Sequence, residues 1–195
     1  MKDRFFYPLA VLIIGGMIAY AMSFNVDNTP TNADIYERQG IELEELFPSP
    51  GTTVYMESSG EDSYAVLSAH LNRETAASSA GVFGTLGPIY ESNFGGARIR
   101  IAVRAKQGDI SPSAAMELGY FTSGVGDSEW QKFELLDEYA DYSFEFTPNP
   151  PLEEGNDYIG IWPDPSGKGG TIDVQSIRVE RLRPCLLYTS PSPRD

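Results

Sequence analysis

Residues 170–182 read Gly-Thr-Ile-Asp-Val-Gln-Ser-Ile-Arg-Val-Glu-Arg-Leu, with β-branched apolar side chains recurring between polar ones. Residues 98–105, Arg-Ile-Arg-Ile-Ala-Val-Arg-Ala, alternate apolar side chains with arginine. Because successive side chains of a strand point to opposite faces, the second stretch predicts a β-strand with one buried and one solvated face. The first stretch predicts a long strand rich in β-branched residues.

Working outward, six more stretches have strand-like patterns and are separated by turns rich in Gly, Pro, Asn and Asp. Short, regularly spaced strands predict a sandwich, jelly roll or barrel. We therefore predict an all-β domain over residues 51–183, a jelly-roll β-sandwich of about eight antiparallel strands. The six stretches are residues 52–57, 63–71, 115–122, 130–135, 142–146 and 157–162.

The segment before this domain is polar and is interpreted as a linker with an ambiguous first element, residues 25–50. Residues 35–39 are compatible with a short helix, and the alternation at residues 41–44 with a first strand. Residues 184–195 change character abruptly and resemble translated adaptor sequence, so they are kept out of the fold argument. The single cysteine, Cys185, lies in this tail, and no disulfide within the chain is possible.

The first 24 residues predict a membrane segment. Residues 5–24 carry no charge, and Lys2, Asp3 and Arg4 precede them. About twenty helical residues cross a hydrocarbon core of roughly 30 Å. The segment is therefore interpreted as an uncleaved signal anchor, a single transmembrane helix. Cleavage after the small-x-small sequence of residues 19–21 is the alternative.

The charges before the segment also predict the location of the domain. Lys2 and Arg4 favour a cytoplasmic N-terminus, so the C-terminal domain is expected to be periplasmic or extracellular.

The net charge of −14, from 28 acidic and 14 basic residues, argues against nucleic acid as a partner. The expected partners are the membrane, through the N-terminal helix, and a glycan.

Catalytic motifs are absent from the sequence. His70 is the only histidine, and there is no nucleophile elbow, zinc-binding His-Glu-x-x-His or phosphate-binding loop. Paired carboxylates of a glycosidase type remain open, since sequence does not show their separation. We predict that the chain is not an enzyme.

Aromatic side chains are the expected ligand contacts, because sugars present apolar C–H faces that stack on aromatic rings. Trp130 and Trp162 are the only tryptophans, and Tyr158 begins the strand that ends at Trp162. Trp130, Tyr158 and Trp162 are therefore the predicted ligand-binding residues. Packing of both tryptophans in the core is the alternative.

Three stretches also resemble carbohydrate-binding modules and galactose-binding-like jelly-roll domains. They are Trp-Gln-Lys-Phe at 130–133, Tyr-Ile-Gly-Ile-Trp at 158–162 and Ile-Asp-Val-Gln-Ser-Ile-Arg-Val at 172–179. The resemblance implies glycan binding through loops or one concave face, often with a structural calcium ion. Asp157, Asp164 and Asp173 lie on or beside the loop of residues 163–170 and are the expected calcium ligands, because calcium prefers oxygen donors. No other cofactor is expected.

These observations favour a membrane-anchored, extracytoplasmic β-sandwich that binds a glycan or a cell-envelope polysaccharide. The alternative is a non-catalytic structural or interaction subunit of a membrane or envelope assembly. An anchored hydrolase that uses two carboxylates is a third possibility.

Overall fold

The computed structural model describes residues 34–59, 62–122, 126–151 and 155–182, together with Ile13, Ile14 and Met17. The chain forms two compact units, Met1–Thr31 and Asn32–Asp195. The three described residues of the first unit are helical. The rest of the predicted anchor, residues 5–24, and the tail of residues 184–195 lie outside the described residues. Within the described part of the chain, no helix has the length and apolar character needed to cross a bilayer.

The regular secondary structure of the second unit, in its described residues, is mainly β-strand. Its described residues also form a 3₁₀ helix, Gly40–Glu45, and a short α-helix, α1, Pro88–Phe94. The strands are β1 (Ile35–Gln39), β2 (Phe47–Pro48), β3 (Thr52–Ser59), β4 (Asp62–Ala69), β5 (Val82–Thr85), β6 (Ile99–Gln107), β7 (Ala115–Phe121), β8 (Gln131–Glu134), β9 (Ala140–Phe146), β10 (Tyr158–Trp162) and β11 (Gly170–Arg181).

These strands form two antiparallel sheets. The six-stranded sheet has the order β3-β4-β11-β6-β9, and β1 pairs with the second half of β11. The five-stranded sheet has the order β2-β5-β10-β7-β8. β11 therefore contacts three other strands and organises the larger sheet.

The hydrophobic core lies between the two sheets. Alternate residues of β6, from Ile99 to Ala105, point into it, and so do Ile159 and Ile161 of β10. In β11 the apolar core positions are 172, 174, 177 and 179, and the step of three coincides with a register shift between Val174 and Ser176. An extra residue at a bulge shifts the side-chain alternation by one, so both halves of β11 face the same core.

All eight predicted stretches form strands, but the count of about eight was too low. Among the described residues there are eleven strands, and β1, β2 and β5 are the additional ones. Residues 35–39 form a strand instead of a helix because they pair with residues 176–180 of β11. Residues 41–44, interpreted as a possible strand, lie in the 3₁₀ helix. The sandwich thus includes residues that the sequence placed in the linker region.

Candidate functional site

The outer face of the five-stranded sheet, the face turned away from the core, carries a row of aromatic rings. Four strands of the sheet each contribute one ring, and the fifth ring directly precedes the remaining strand. The row therefore runs across the strands. We call these five residues the aromatic row. They are Phe47 of β2, Phe83 of β5, Tyr158 of β10, Phe121 of β7 and Trp130 directly before β8.

Every ring of the aromatic row contacts the next. The centroids are 5.9 Å apart for Phe47 and Phe83, 5.8 Å for Phe83 and Tyr158, and 5.1 Å for Tyr158 and Phe121. Phe121 and Trp130 complete the series at 5.0 Å. Phe47 is 53% exposed, and the other four rings are half-buried. Burial raises the pKa of the Tyr158 hydroxyl, with a smaller rise from the charge of Asp127.

Strand alternation explains why these rings share a face. Ile159 and Ile161 point into the core, so Tyr158 and Trp162 of the same strand point outward. In β7, Leu118 and Tyr120 are core residues, so Phe121 points outward beside Tyr158. The register Tyr158↔Phe121 then brings the two rings together.

Two glycines on neighbouring strands make room for the rings. Gly119 and Gly160 face each other in the register of β7 and β10. A Cβ atom added at Gly160 would lie 2.8 Å from the Phe121 ring, 2.9 Å from the Trp130 ring and 2.5 Å from the carbonyl oxygen of Ala80. The side chains of Phe121 and Trp130 therefore occupy space that only a glycine leaves free.

Trp162 lies on the same outer face but is completely buried. Its ring meets the Trp130 ring edge to face, at 6.2 Å. The backbone at Gly81, at the end of the β4–β5 connection, packs so closely that a Cβ there would lie 3.3 Å from the Trp162 ring. The indole N–H of Trp162 has no hydrogen-bond acceptor among the described residues. Trp162 thus packs against the edge or face of the Trp130 ring from a buried position, and it is not accessible to a ligand in this conformation.

The structure therefore brings the three predicted ligand-binding residues, Trp130, Tyr158 and Trp162, into one cluster, in which Phe121 links Tyr158 to Trp130. Their role in ligand binding stays a prediction. Sequence reasoning missed the phenylalanines of the row, because phenylalanine is usually a core residue. The available signal was alternation: Phe121 follows the core residue Tyr120, and Phe83 lies between Val82 and Gly84.

Of the three predicted calcium ligands, Asp164 organises its own loop. Its Oδ1 accepts hydrogen bonds from the backbone N–H and hydroxyl of Ser166, and its Oδ2 accepts them from the N–H groups of Lys168 and Gly170. Burial by itself would raise the pKa of this carboxyl, but the hydrogen bonds outweigh it and hold the pKa below its ordinary value. This carboxylate therefore has a structural role in the β10–β11 loop.

Asp157 and Asp173 are buried in other places. Asp157 lies at the opposite end of β10 from Asp164, and its Oδ2 accepts a hydrogen bond of 2.6 Å from the hydroxyl of Tyr120. Asp173, in β11, forms an ion pair with Lys106 at 3.2 Å. Burial raises the pKa of the Asp173 carboxyl, although Lys106 acts in the opposite direction.

No three His, Cys, Asp or Glu side chains in the described ranges are grouped closely enough to hold a metal ion. The three aspartates also have different partners. The calcium site stays a prediction. His70, placed within a strand by its sequence, lies directly after β4 and is exposed.

Comparison with known proteins defines the class of the fold. No protein-family model matches the chain, and no curated protein matches it in sequence. The xylan-binding domain CBM22-1 of Xyn10C from Paenibacillus barcinonensis is similar in structure, with a TM-score of 0.53 and 9% identity over 77% of this chain and 96% of that domain. The chain thus shares the β-sandwich fold of this xylan-binding domain.

A second similar structure is the N-terminal tandem of CBM22-1 and CBM22-2 from the same protein, Xyn10C, with a TM-score of 0.53 and 9% identity. The match covers 83% of this chain and 48% of the tandem, so this chain spans about half the length of the pair. At this level of identity the likeness concerns the fold, and the function has to be argued from the site.

Proposed function

We propose that this protein is a non-catalytic module that binds a glycan along the aromatic row. The observation that carries the proposal is the row itself, five contacting rings spread over all five strands on the face that the core does not use. Partly exposed rings in contact with one another form an apolar surface, and such surfaces on soluble domains mark binding sites. The C–H faces of sugar rings are a matching apolar surface.

The similar fold of a xylan-binding domain supports a polysaccharide as the ligand and makes xylan the first compound to test. Rows of rings that cross the strands suit a chain-like ligand, because each successive ring offers one more contact. Trp130 and Tyr158 are the two rings of the row that the sequence predicts as ligand contacts. Phe121 lies between them, and Phe83 and Phe47 extend the apolar surface beyond Tyr158.

We further propose that the module is held at a membrane and works outside the cytoplasm. The support is the uncharged run of residues 5–24, preceded by Lys2 and Arg4. In that location the ligand is an extracellular or cell-envelope polysaccharide. A structural calcium ion at Asp157, Asp164 or Asp173 remains a separate proposal, which rests on their oxygen donors alone.

Affinity electrophoresis of the full-length chain tests the proposed function. Soluble xylan and hydroxyethylcellulose are cast into native gels, and retardation of the protein is measured against polysaccharide concentration. We expect at least one polysaccharide to retard the protein and Trp130→Ala to weaken that binding about threefold to tenfold, the size of one aromatic contact.

Tyr55→Ala is the matched control. Tyr55 is 49% exposed on the outer face of the six-stranded sheet, so its removal also deletes one exposed ring but leaves the aromatic row intact. Equal retardation of Trp130→Ala and the unaltered chain would contradict the assignment of the site. No retardation by any polysaccharide would instead favour a structural or interaction subunit.

A further inference from the structure

A fixed arginine stands at the Trp130 end of the aromatic row. Arg73 lies in the connection between β4 and β5, and its Nε donates a hydrogen bond of 2.6 Å to Oε2 of Glu117 in β7. The guanidinium carbon lies 5.8 Å from the centroid of the Trp130 ring. The ion pair and the aromatic ring together restrict the position of the guanidinium group.

This pair keeps unused hydrogen-bonding capacity. The Arg73 side chain is 42% exposed, and within the described ranges no hydrogen bond is formed by its Nη1 and Nη2 atoms. Oε1 of Glu117 likewise has no partner there, and this side chain is 13% exposed. Donors and an acceptor therefore lie side by side next to an aromatic ring.

Adjacent hydroxyl groups of a sugar match this arrangement, because each hydroxyl both accepts and donates. One hydroxyl can accept from an Nη–H of Arg73 while its neighbour donates to Oε1 of Glu117. The apolar face of the same sugar ring can then rest on Trp130.

Charge decides between neutral and acidic sugars at this position. The positive charge of Arg73 is balanced by Glu117, and the whole chain has a net charge of −14. Lys132, which lies opposite Glu117 in the register of β7 and β8, is paired with Glu134 at 3.1 Å. A sugar carboxylate would face Glu117 as a like charge, so the pair disfavours uronic acids.

We propose that Arg73 and Glu117 form a polar subsite at the Trp130 end of the aromatic row, which binds two adjacent hydroxyl groups and selects neutral glycans over acidic ones. This subsite rests on the proposed glycan-binding function and adds the ligand class to it. It joins an apolar surface, which gives little selectivity, to a group that distinguishes sugars by their hydroxyls and charge.

The test compares neutral and acidic polysaccharides in affinity electrophoresis with the full-length chain. Hydroxyethylcellulose and a xylan without uronic acid side groups are the neutral probes, and polygalacturonate is the acidic one. We expect retardation by a neutral probe only. Arg73→Ala should weaken that binding about tenfold, since it removes a charge-assisted hydrogen bond. Arg73→Lys should weaken it similarly, because a lysine lacks the planar fork.

Glu117→Gln is the most specific variant. It keeps an acceptor oxygen but removes the balancing charge, so retardation by polygalacturonate should appear. Arg104→Ala is the control, since Arg104 is 41% exposed and paired with an acid, Asp141, but lies on the outer face of the other sheet. Thermal unfolding of each variant separates loss of binding from loss of fold.

The outcomes that overturn the subsite are distinct from those that overturn the site. If Trp130→Ala loses binding and Arg73→Ala does not, the aromatic row stands and the subsite is wrong. Stronger retardation of the unaltered chain by polygalacturonate than by neutral probes also refutes the subsite. If no polysaccharide retards the chain, the glycan-binding function fails and the subsite fails with it.

Discussion

The two outer faces of this sandwich have different chemistry although they belong to one antiparallel fold. On the six-stranded sheet, charged side chains form a continuous series of ion pairs across four strands. On the five-stranded sheet, aromatic rings form the aromatic row. The ion pairs are Arg98–Glu145, Arg100–Glu145, Arg100–Glu180, Arg178–Glu180 and Arg178–Glu37.

This difference shows which face offers exposed apolar area to a ligand. Exposed ion pairs on the six-stranded sheet are well solvated and satisfied by one another, so they contribute little to stability and keep the surface polar. The aromatic rings pack on each other but still expose apolar area to water. Covering that apolar area with a ligand lowers the free energy of the complex. The ion-paired face exposes no comparable row of apolar rings among the described residues.

The largest expected effect concerns the support beneath the aromatic row. Trp162→Ala should lower the free energy of unfolding by about 3–5 kcal/mol, because it leaves a large cavity in a buried position. Trp162→Phe should cost less, since it keeps an aromatic ring and also removes a buried N–H that finds no acceptor in the part of the chain that the structure describes.

Urea unfolding followed by circular dichroism measures both Trp162 variants. A cost below 1 kcal/mol for Trp162→Ala would mean that Trp162 is an open contact and not a support. The outer face of the five-stranded sheet would then be less tightly packed than the structure indicates, and closer in this respect to the ion-paired face.

An intermediate effect is expected at the glycine pair. Gly160→Ala should destabilise the fold by about 1–3 kcal/mol through overpacking. Its Cβ would approach the Phe121 and Trp130 rings and the carbonyl oxygen of Ala80. Because the rings must shift, retardation by a polysaccharide should also decrease.

The matched change on the other face is Ala102→Ser, which adds one atom at a half-exposed position of β6. The same urea unfolding measurement should show almost no change for this variant. Equal costs for Gly160→Ala and Ala102→Ser would remove the distinction between a packed face and a solvated one.

The smallest effect is expected from Arg100→Ala on the ion-paired face. Hydrogen bonding to Arg100 is the main cause that lowers the pKa of Glu145, with Arg98 contributing as well. Without Arg100 the pKa of Glu145 should rise toward its ordinary value, which a carboxyl NMR titration measures directly. Thermal stability at neutral pH should hardly change.

The sign of the pH dependence follows from the lowered pKa. A carboxyl with a lower pKa in the folded state stabilises the fold above the unfolded pKa of about 4.3, and this contribution is lost as the pH falls through the folded value. Arg100→Ala should therefore reduce the dependence of stability on pH in the acidic range. An unchanged Glu145 titration would show that the ion pair does not form in solution.

Much of the sandwich could be predicted because apolar and polar residues alternate along its longer strands. The Ile-Arg pattern of β6 identifies both the strand and its two faces. β2 was missed because it has only two residues, and β5 because it has four residues and contains Gly84. β1 is a strand only through its pairing with β11. The short helix α1 has too few turns to show a periodic pattern.

The sequence by itself determined eight of the strands, the turns between them and the alternation that separates inner from outer side chains, because these properties depend on neighbours along the chain. Only the tertiary structure decided that β2, β5, β10, β7 and β8 lie side by side. Strand order and register depend on hydrogen bonds between distant segments, which local patterns do not encode. For that reason Trp130 and Tyr158 could be named from the sequence, whereas their alignment with three phenylalanines and Arg73 could not.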